Sequence, residues 1–225
     1  MTSFIITGTD TGIGKTWSTL ALMKAFLSRG EKVLGMKPVA SGCEIHGDEL
    51  RNEDALLIQQ AGWQVVDYSL INPYAFEPPV SPHAAAEKAG LKIQLGPILE
   101  SYQGLQAQAD RVIIEGVGGW RVPFSNELAL ADLALKLNLT VIMVVGLKLG
   151  CINHALLTAE ALARDGIVLR GWIANQLETD YLMQNATLQT LRESIQAPLI
   201  GVMPCLQSLQ SDKLAEALDV DVLID

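Results

Sequence analysis

The residues best equipped for chemistry stand near the front of the chain. Gly8-Thr9-Asp10-Thr11-Gly12-Ile13-Gly14-Lys15-Thr16 follows a short apolar run and precedes a segment of helical period. Glycines at such spacing let backbone N–H groups turn inward around an anion, and the helix N-terminus adds positive potential. A lysine at position 15 neutralises phosphate charge, and the Thr16 hydroxyl is a hard oxygen ligand suited to magnesium. The strict phosphate-loop spacing asks for glycine at position 9, which is Thr9, so with Gly8 the loop is longer by one residue. A glycine-rich turn that caps a helix is the plainer alternative. Strand, glycines, Gly-Lys-Thr and helix in that order favour the phosphate loop.

Other candidates close later apolar runs. Lys37 ends Val33-Leu34-Gly35-Met36-Lys37, and Glu115 ends Arg111-Val112-Ile113-Ile114-Glu115. Lys37 fits an added cation for the phosphates or a solvated strand end. Glu115 fits a carboxylate beside a metal or a surface acid at a turn. Asn175 also ends a strand-like run, where its carboxamide could meet the edge of an adenine or open a turn equally well. Asp54 lies in Arg51-Asn52-Glu53-Asp54, where acids at a helix start are common for dipole reasons.

These residues need a scaffold that brings strand ends together. Strands are predicted over Ser3–Thr7, Val33–Lys37, Arg111–Glu115, Thr140–Val145, Gly171–Asn175 and Leu199–Met203. Each is a nearly continuous apolar run, the pattern of strands covered by helices on both faces of a parallel sheet. Helices are predicted over Lys15–Arg29, Asn52–Ala61, Gln94–Gln108, Glu127–Lys136, Ile152–Arg164 and Tyr181–Ser194. The alternation implies an α/β fold: one doubly wound domain over residues 1–225, a mostly parallel central sheet flanked by helices, with ligands at the carboxyl ends of the strands. Asn72–Pro82 reads as a proline-rich loop, and the tail from Gln207 carries little signal.

Composition narrows the partners. The chain has 225 residues, 49% apolar and 18% charged, enough for a large core. Its net charge of -9 and lack of a basic run argue against nucleic acid. Cys43, Cys151 and Cys205 show no paired spacing, which speaks against a disulfide frame or a zinc site and suits a cytoplasmic protein. The first residues lack the basic and apolar regions of a signal peptide, no apolar run reaches bilayer length, and no membrane association is expected.

The pattern is that of the P-loop class, and one position narrows it. Many relatives with such a loop, the partitioning and cell-division ATPases, carry an early lysine where this chain has Asp10. An ATPase switch of that type is therefore the second reading, and Asp10 counts against it. A related amidoligase for corrinoid precursors is a third, weakened by the length of the chain. The chain resembles the dethiobiotin synthetases through Gly8-Thr9-Asp10-Thr11, Gly14-Lys15-Thr16, Lys37-Pro38-Val39-Ala40-Ser41-Gly42, Arg51-Asn52 with Asp54, Asn72-Pro73-Tyr74 and Ser81-Pro82-His83. The match continues through Glu115-Gly116 with Gly118-Gly119-Trp120, Val144-Val145-Gly146, Lys148-Leu149-Gly150-Cys151-Ile152-Asn153-His154, and Gly171-Trp172 with Ala174-Asn175. Val117 stands where the family usually has alanine, and Gly12-Ile13 replace a bulkier pair.

The resemblance implies ATP-dependent closure of a cyclic urea from 7,8-diaminononanoate and CO2, a ligase step of biotin biosynthesis. It assigns catalysis to Thr11, Lys15 and Lys37, and Mg2+ to Thr16, Asp54 and Glu115. It places Thr11, Gly12, Ile13, Gly14, Lys15, Thr16 and the backbone of Trp17 around the phosphates of ATP, with Asp54, Glu115, Gly116, Val117, Gly118, Asn175, Gln176, Pro204, Cys205 and Leu206 completing the nucleotide site. The diamine would meet Thr11, Lys37 and Ser41, and its carboxylate Gly150, Cys151 and Asn153 of a neighbouring subunit, so that a homodimer completes each site. Asn153 reads alternatively as a simple helix cap.

Overall fold

The computed structural model describes residues 3–224. Its elements in chain order are β1 (Phe4–Gly8), α1 (Lys15–Ser28), β2 (Val33–Met36), β3 (Val39–Ser41), β4 (Glu44–His46), β5 (Glu49–Arg51), α2 (Glu53–Gln60), α3 (Tyr68–Ile71), β6 (Tyr74–Phe76), α4 (Pro82–Lys88) and α5 (Leu95–Gln106). There follow β7 (Arg111–Gly119), α6 (Leu130–Leu137), β8 (Thr140–Leu147), α7 (Cys151–Arg164), β9 (Leu169–Gln176), α8 (Gln184–Ser194), β10 (Leu199–Met203), α9 (Ser211–Ala215) and a closing 3-10 turn at Val220–Leu223.

Six strands form one sheet in the order β10-β9-β8-β1-β7-β2, and every pairing in it is parallel. β1 is central, and every residue of it is buried. That burial accounts for the continuous apolar runs: a strand sandwiched between helix layers has no polar face. Phe4, Phe26 and Trp172 are among the fully buried side chains, each contributing about 2 kcal/mol or more of apolar transfer energy. Among the described residues, no helix is long and apolar enough to cross a membrane.

Helix ends follow from local residue types. Gly30 adopts φ 85° just after α1, with its N–H on the Leu27 carbonyl and the Glu31 N–H on that of Phe26. This left-handed stop turns the chain back into β2. Asn138, at φ 50°, ends α6 in the same way before β8.

All six sheet strands lie where expected, but several run longer. β7 continues to Gly119, β8 to Leu147 and β9 from Leu169 to Gln176. β7 extends because its Gly119 pairs with Gly8, past a register shift between Ile6 and Gly8. The Asn72–Pro82 segment is not wholly a loop: Tyr74–Phe76 pairs in parallel with β3. α6 starts at Leu130 rather than Glu127, because Ala129 bridges to Pro123 in extended form and receives the Asp132 carboxylate on its N–H. α8 starts at Gln184 rather than Tyr181. The antiparallel hairpin β4–β5 and helices α3, α4 and α9 were not expected from sequence.

Candidate active site

The central strand carries the loop. β1 delivers Gly8 to the C-terminal edge of the sheet, with β7 on one side and β8 on the other. Gly8 must be small: a Cβ there would sit 2.9 Å from Ile13 Cδ1 and 3.0 Å from Lys15 Cδ. The early glycine therefore clears the path of the Lys15 stem. Gly14, at φ 86°, is the N-cap of α1, and its carbonyl accepts both the amide and the hydroxyl of Ser18. Lys15 and Thr16 thus occupy the first turn of a helix whose unpaired N–H groups face the strand ends.

A cavity of about 380 Å³ opens above this loop. Thr11, Gly12, Gly14, Lys15, Thr16, Trp17, Lys37, Ala40, Ser41, Asn52, Asp54, Glu115, Val117 and Gly118 line it. Residues from four separate stretches of chain therefore meet at one place. At its floor, Glu115 Oε1 accepts the Thr16 hydroxyl at 3.0 Å and also the ammonium of Lys37. Lys37 donates as well to Asp54 Oδ2 at 2.9 Å. Burial alone would lower the Lys37 pKa, but the Glu115 and Asp54 carboxylates outweigh it and hold the ammonium above its ordinary range. Burial would raise Asp54, yet Lys37 beside it keeps its carboxyl below the usual value.

Lys15 is buried and donates to the main-chain carbonyl of Asp10 at 2.8 Å. Desolvation, with the Lys37 charge adding to it, brings its pKa down to about 8. Lys15 has no carboxylate partner of its own among the described residues, whereas Lys37 is balanced by Glu115 and Asp54, so the free donor capacity for an anion lies on Lys15 and the loop amides.

Magnesium was expected at Thr16, Asp54 and Glu115. Glu115 Oε2 is buried and has no hydrogen-bond partner, while the other oxygen of the carboxylate is fully used. An orphaned buried carboxylate oxygen beside a loop threonine fits a divalent cation. No group of three or more His, Cys, Asp or Glu that could cage a metal exists among the described residues. Magnesium takes few protein ligands and completes its shell with phosphate oxygens and water.

The adenine-side candidates gather beyond the loop rather than in the cavity. Asn175 is buried, and its Nδ2 donates to the Ile13 carbonyl at 2.9 Å. Its carboxamide thereby pins the phosphate loop from below. Ile13 itself is a core residue, packed where a Cβ on Gly146 would meet it at 2.8 Å. Gln176 Oε1 accepts the Cys205 N–H at 3.4 Å, joining the ends of β9 and β10 beside Pro204 and Leu206. Gly116 is buried in β7, where a Cβ would meet Leu130 Cδ2 at 2.6 Å.

The last expected group, Gly150, Cys151 and Asn153, lies outside this cavity in the same chain. Gly150, at φ 93°, is the N-cap of α7, so the helix starts one residue before Ile152 and Asn153 is not its cap. The Cys151 N–H already donates to the Lys148 carbonyl at 3.0 Å. That amide is therefore committed to the turn rather than left for an anion.

Several participants escaped the sequence reading. The Lys148 ammonium reaches Asp10 Oδ2 at 2.7 Å, so the acid in the loop recruits a cation from the end of β8. Behind Lys37, Asn72 Nδ2 donates to the Lys37 carbonyl at 2.7 Å, and Tyr68 Oη donates to Asn72 Oδ1 while accepting the Asn52 N–H at 2.8 Å. Asn52 in turn caps α2 by accepting the Ala55 N–H, which fixes the start of the helix bearing Asp54. The asparagines were visible as family matches, but nothing in their spacing announced the network.

Comparison with known proteins agrees with this geometry. A family model described as an AAA domain matches residues 2–213. An ATP-dependent dethiobiotin synthetase of Xanthomonas axonopodis pv. citri is 46% identical over 202 residues, covering 90% of each chain. Another from Aromatoleum aromaticum is 45% identical over 96% of each, and one from Marinobacter nauticus 43% identical over 96% of this chain and 93% of its own. The chain belongs to the dethiobiotin synthetase family. Among solved structures, the cell-division protein MinD of Aquifex aeolicus superposes with a TM-score of 0.58 at 17% identity, over 98% of this chain and 89% of that one. A ParA family ATPase of Chlorobium tepidum gives 0.58 at 14% identity over the whole of both chains. At such identity these two share the fold of the synthetase family and nothing more is drawn from them.

Proposed function

We propose that this chain closes the ureido ring of dethiobiotin from 7,8-diaminononanoate, CO2 and ATP. The observation that carries the reading is a single atom. Glu115 Oε1 bonds both Thr16 of the phosphate loop and Lys37 of the strand-2 edge, so the loop and the second lysine share one wall of one cavity.

In this reading one amine of the diamine adds to CO2 and loses a proton, giving a carbamate. A carbamate oxygen then takes the γ-phosphoryl group as ADP departs. The second amine attacks the carbamate carbon, phosphate leaves, and the ring closes. Phosphoryl transfer needs position and charge neutralisation more than covalent help. Lys15 and the loop amides hold the phosphates. Lys37 lines the same cavity as that loop and Ser41, and its ammonium would hold the carbamate and the transferring phosphoryl oxygen together. The Thr11 and Ser41 hydroxyls are neutral partners for the amines. Thr16, Asp54 and Glu115 would hold a magnesium ion, which supplies further charge neutralisation on the phosphates. In the turn at Gly150–Asn153, the Gly150 and Asn153 amides rather than that of Cys151 receive the distant carboxylate of a diamine bound to the neighbouring subunit, and the working unit is a homodimer. Its position outside the cavity of its own chain supports that arrangement.

The test is phosphate release. It should require the diamine and bicarbonate together with ATP. Release at an undiminished rate without the diamine would overturn the reading and favour an ATPase switch instead.

A further inference from the structure

Asp10 makes three contacts at the rim of the phosphate loop. Its carbonyl accepts the Lys15 ammonium at 2.8 Å, its Oδ1 accepts the Thr11 N–H at 2.8 Å, and its Oδ2 holds the Lys148 ammonium at 2.7 Å. Lys148 stands directly after β8, and its carbonyl accepts the Cys151 N–H at 3.0 Å. That bond closes the turn Lys148-Leu149-Gly150 from which α7 departs, with Gly150 in the left-handed region. The Asp10 side chain therefore shapes the nucleotide loop through Thr11 and at the same time fixes the turn through Lys148.

We propose that Asp10 and Lys148 are positioning residues that hold the Lys148–Gly150 turn in register with the phosphate loop. This rests on the reading that the turn at Gly150–Asn153 receives the diamine carboxylate. Neither side chain touches the reacting atoms. Both are well exposed, 40% for Asp10 and 38% for Lys148, and an ion pair so solvated adds little to folding stability. What it supplies is geometry. The turn has Gly150 at a conformation few residues adopt and Leu149 at 94% exposure, so few packing contacts fix it. Between the buried Leu147 and Cys151, the ion pair and the Cys151 bond are the polar restraints on Lys148. In the dimeric reading, the pair joins the nucleotide loop of one subunit to the substrate site of the other.

The experiment compares Lys148→Met, Asp10→Asn, the double variant and Lys148→Arg in the full-length enzyme. Four quantities are read: the Kd for ATP without diamine, KM for the diamine, kcat, and KM for the same diamine lacking its carboxylate. The expected result is a rise of about tenfold in diamine KM for each single variant, at the lower end of typical coupling between sites. ATP Kd stays within about twofold, since Lys148 reaches the loop only through the Asp10 side chain and Asp10→Asn keeps an oxygen for the Thr11 N–H. The double variant is no worse than either single one, and Lys148→Arg retains most of the affinity. The wild type favours the carboxylated diamine, and the variants lose that preference. A wild-type preference that persists unchanged in the variants would overturn the proposal while leaving the carboxylate turn standing. So would ATP Kd rising in step with diamine KM, which would make the pair a nucleotide contact. A wild type that accepts both diamines equally would remove the carboxylate turn itself, and the proposal with it.

Discussion

Lys37 and Glu115 form a buried ion pair at the edge of the sheet, with Glu115 wholly enclosed and Lys37 only 6% exposed at its side chain. Such a pair is costly to break by halves, because the surviving charge loses its counterion but not its desolvation. Lys37→Ala should therefore lower stability by about 3 kcal/mol, read as a shift in the denaturant midpoint. It should also reduce kcat by a hundredfold or more, roughly the effect of losing one preorganised donor to developing charge. ATP affinity should change only a few-fold, since Lys15 and the loop amides remain. Equal losses in kcat and ATP affinity would make Lys37 a mere nucleotide contact. The variant Lys37→Ala with Glu115→Gln separates the two effects: it should regain stability but not turnover.

Lys15 offers a different test, through protons. In the free protein its pKa falls to about 8 from the ordinary lysine value of 10.5, through burial first and the Lys37 charge second. The folded state thus releases this proton earlier than the unfolded chain does. On this account stability rises with pH across the interval between those values, and is flat below it. Bound triphosphate favours the ammonium, so ATP binding at about pH 9 should draw most of one proton from solution, and almost none at about pH 6.5. Calorimetry in two buffers of different ionisation enthalpy reads this directly. Identical heats in both buffers at the higher pH would mean that Lys15 is already charged before the nucleotide arrives.

These side chains also mark how far the sequence could be read. The loop, Lys37 and Glu115 were legible because each follows a continuous apolar run, and in a parallel sheet every such run ends at the same edge. Tyr68, Asn72 and Asn52 were not legible as a network. Tyr68 and Asn72 stand at the two ends of α3, a four-residue helix too brief to show a period, and their partners Asn52 and Lys37 lie 16 and 35 positions away. The Asp10–Lys148 pair spans 138 positions, and only the adjacency of β1 and β8 brings it together. Asn175 showed its place at a strand end but not its direction. Its amide turns toward Ile13, a choice made by packing under the loop.

Two glycines of the loop separate backbone strain from steric conflict. Gly12 and Gly14 both have positive φ, at 71° and 86°. A Cβ on Gly12 would meet nothing within 4 Å, whereas one on Gly14 would lie 2.2 Å from Asn175 Nδ2. Gly12→Ala should cost only the left-handed strain, about 1–2 kcal/mol. Gly14→Ala carries the same strain and must also displace the carboxamide that holds the Ile13 carbonyl. Its melting temperature should fall further, and its ATP affinity should drop at least tenfold below that of Gly12→Ala. Comparable behaviour of the two variants would show that Asn175 does not brace the loop.

The most indirect prediction concerns Tyr68, whose hydroxyl joins Asn52 to Asn72 behind the cavity. Asn72 holds the carbonyl of Lys37, and Asn52 caps the helix that carries Asp54. Tyr68→Phe keeps the ring, over which the Arg51 guanidinium lies at 4.1 Å, and deletes a single oxygen. The Asn52 N–H then loses its partner in a buried place, at a cost of about 1–3 kcal/mol. Because both strands of the network end on site residues, the loss should reach the chemistry: kcat should fall about tenfold, the scale expected when reacting groups are slightly misplaced. ATP binding should be untouched, since no member of the network belongs to the phosphate loop. A variant that is destabilised but turns over normally would show that Lys37 and Asp54 hold each other in place without Tyr68.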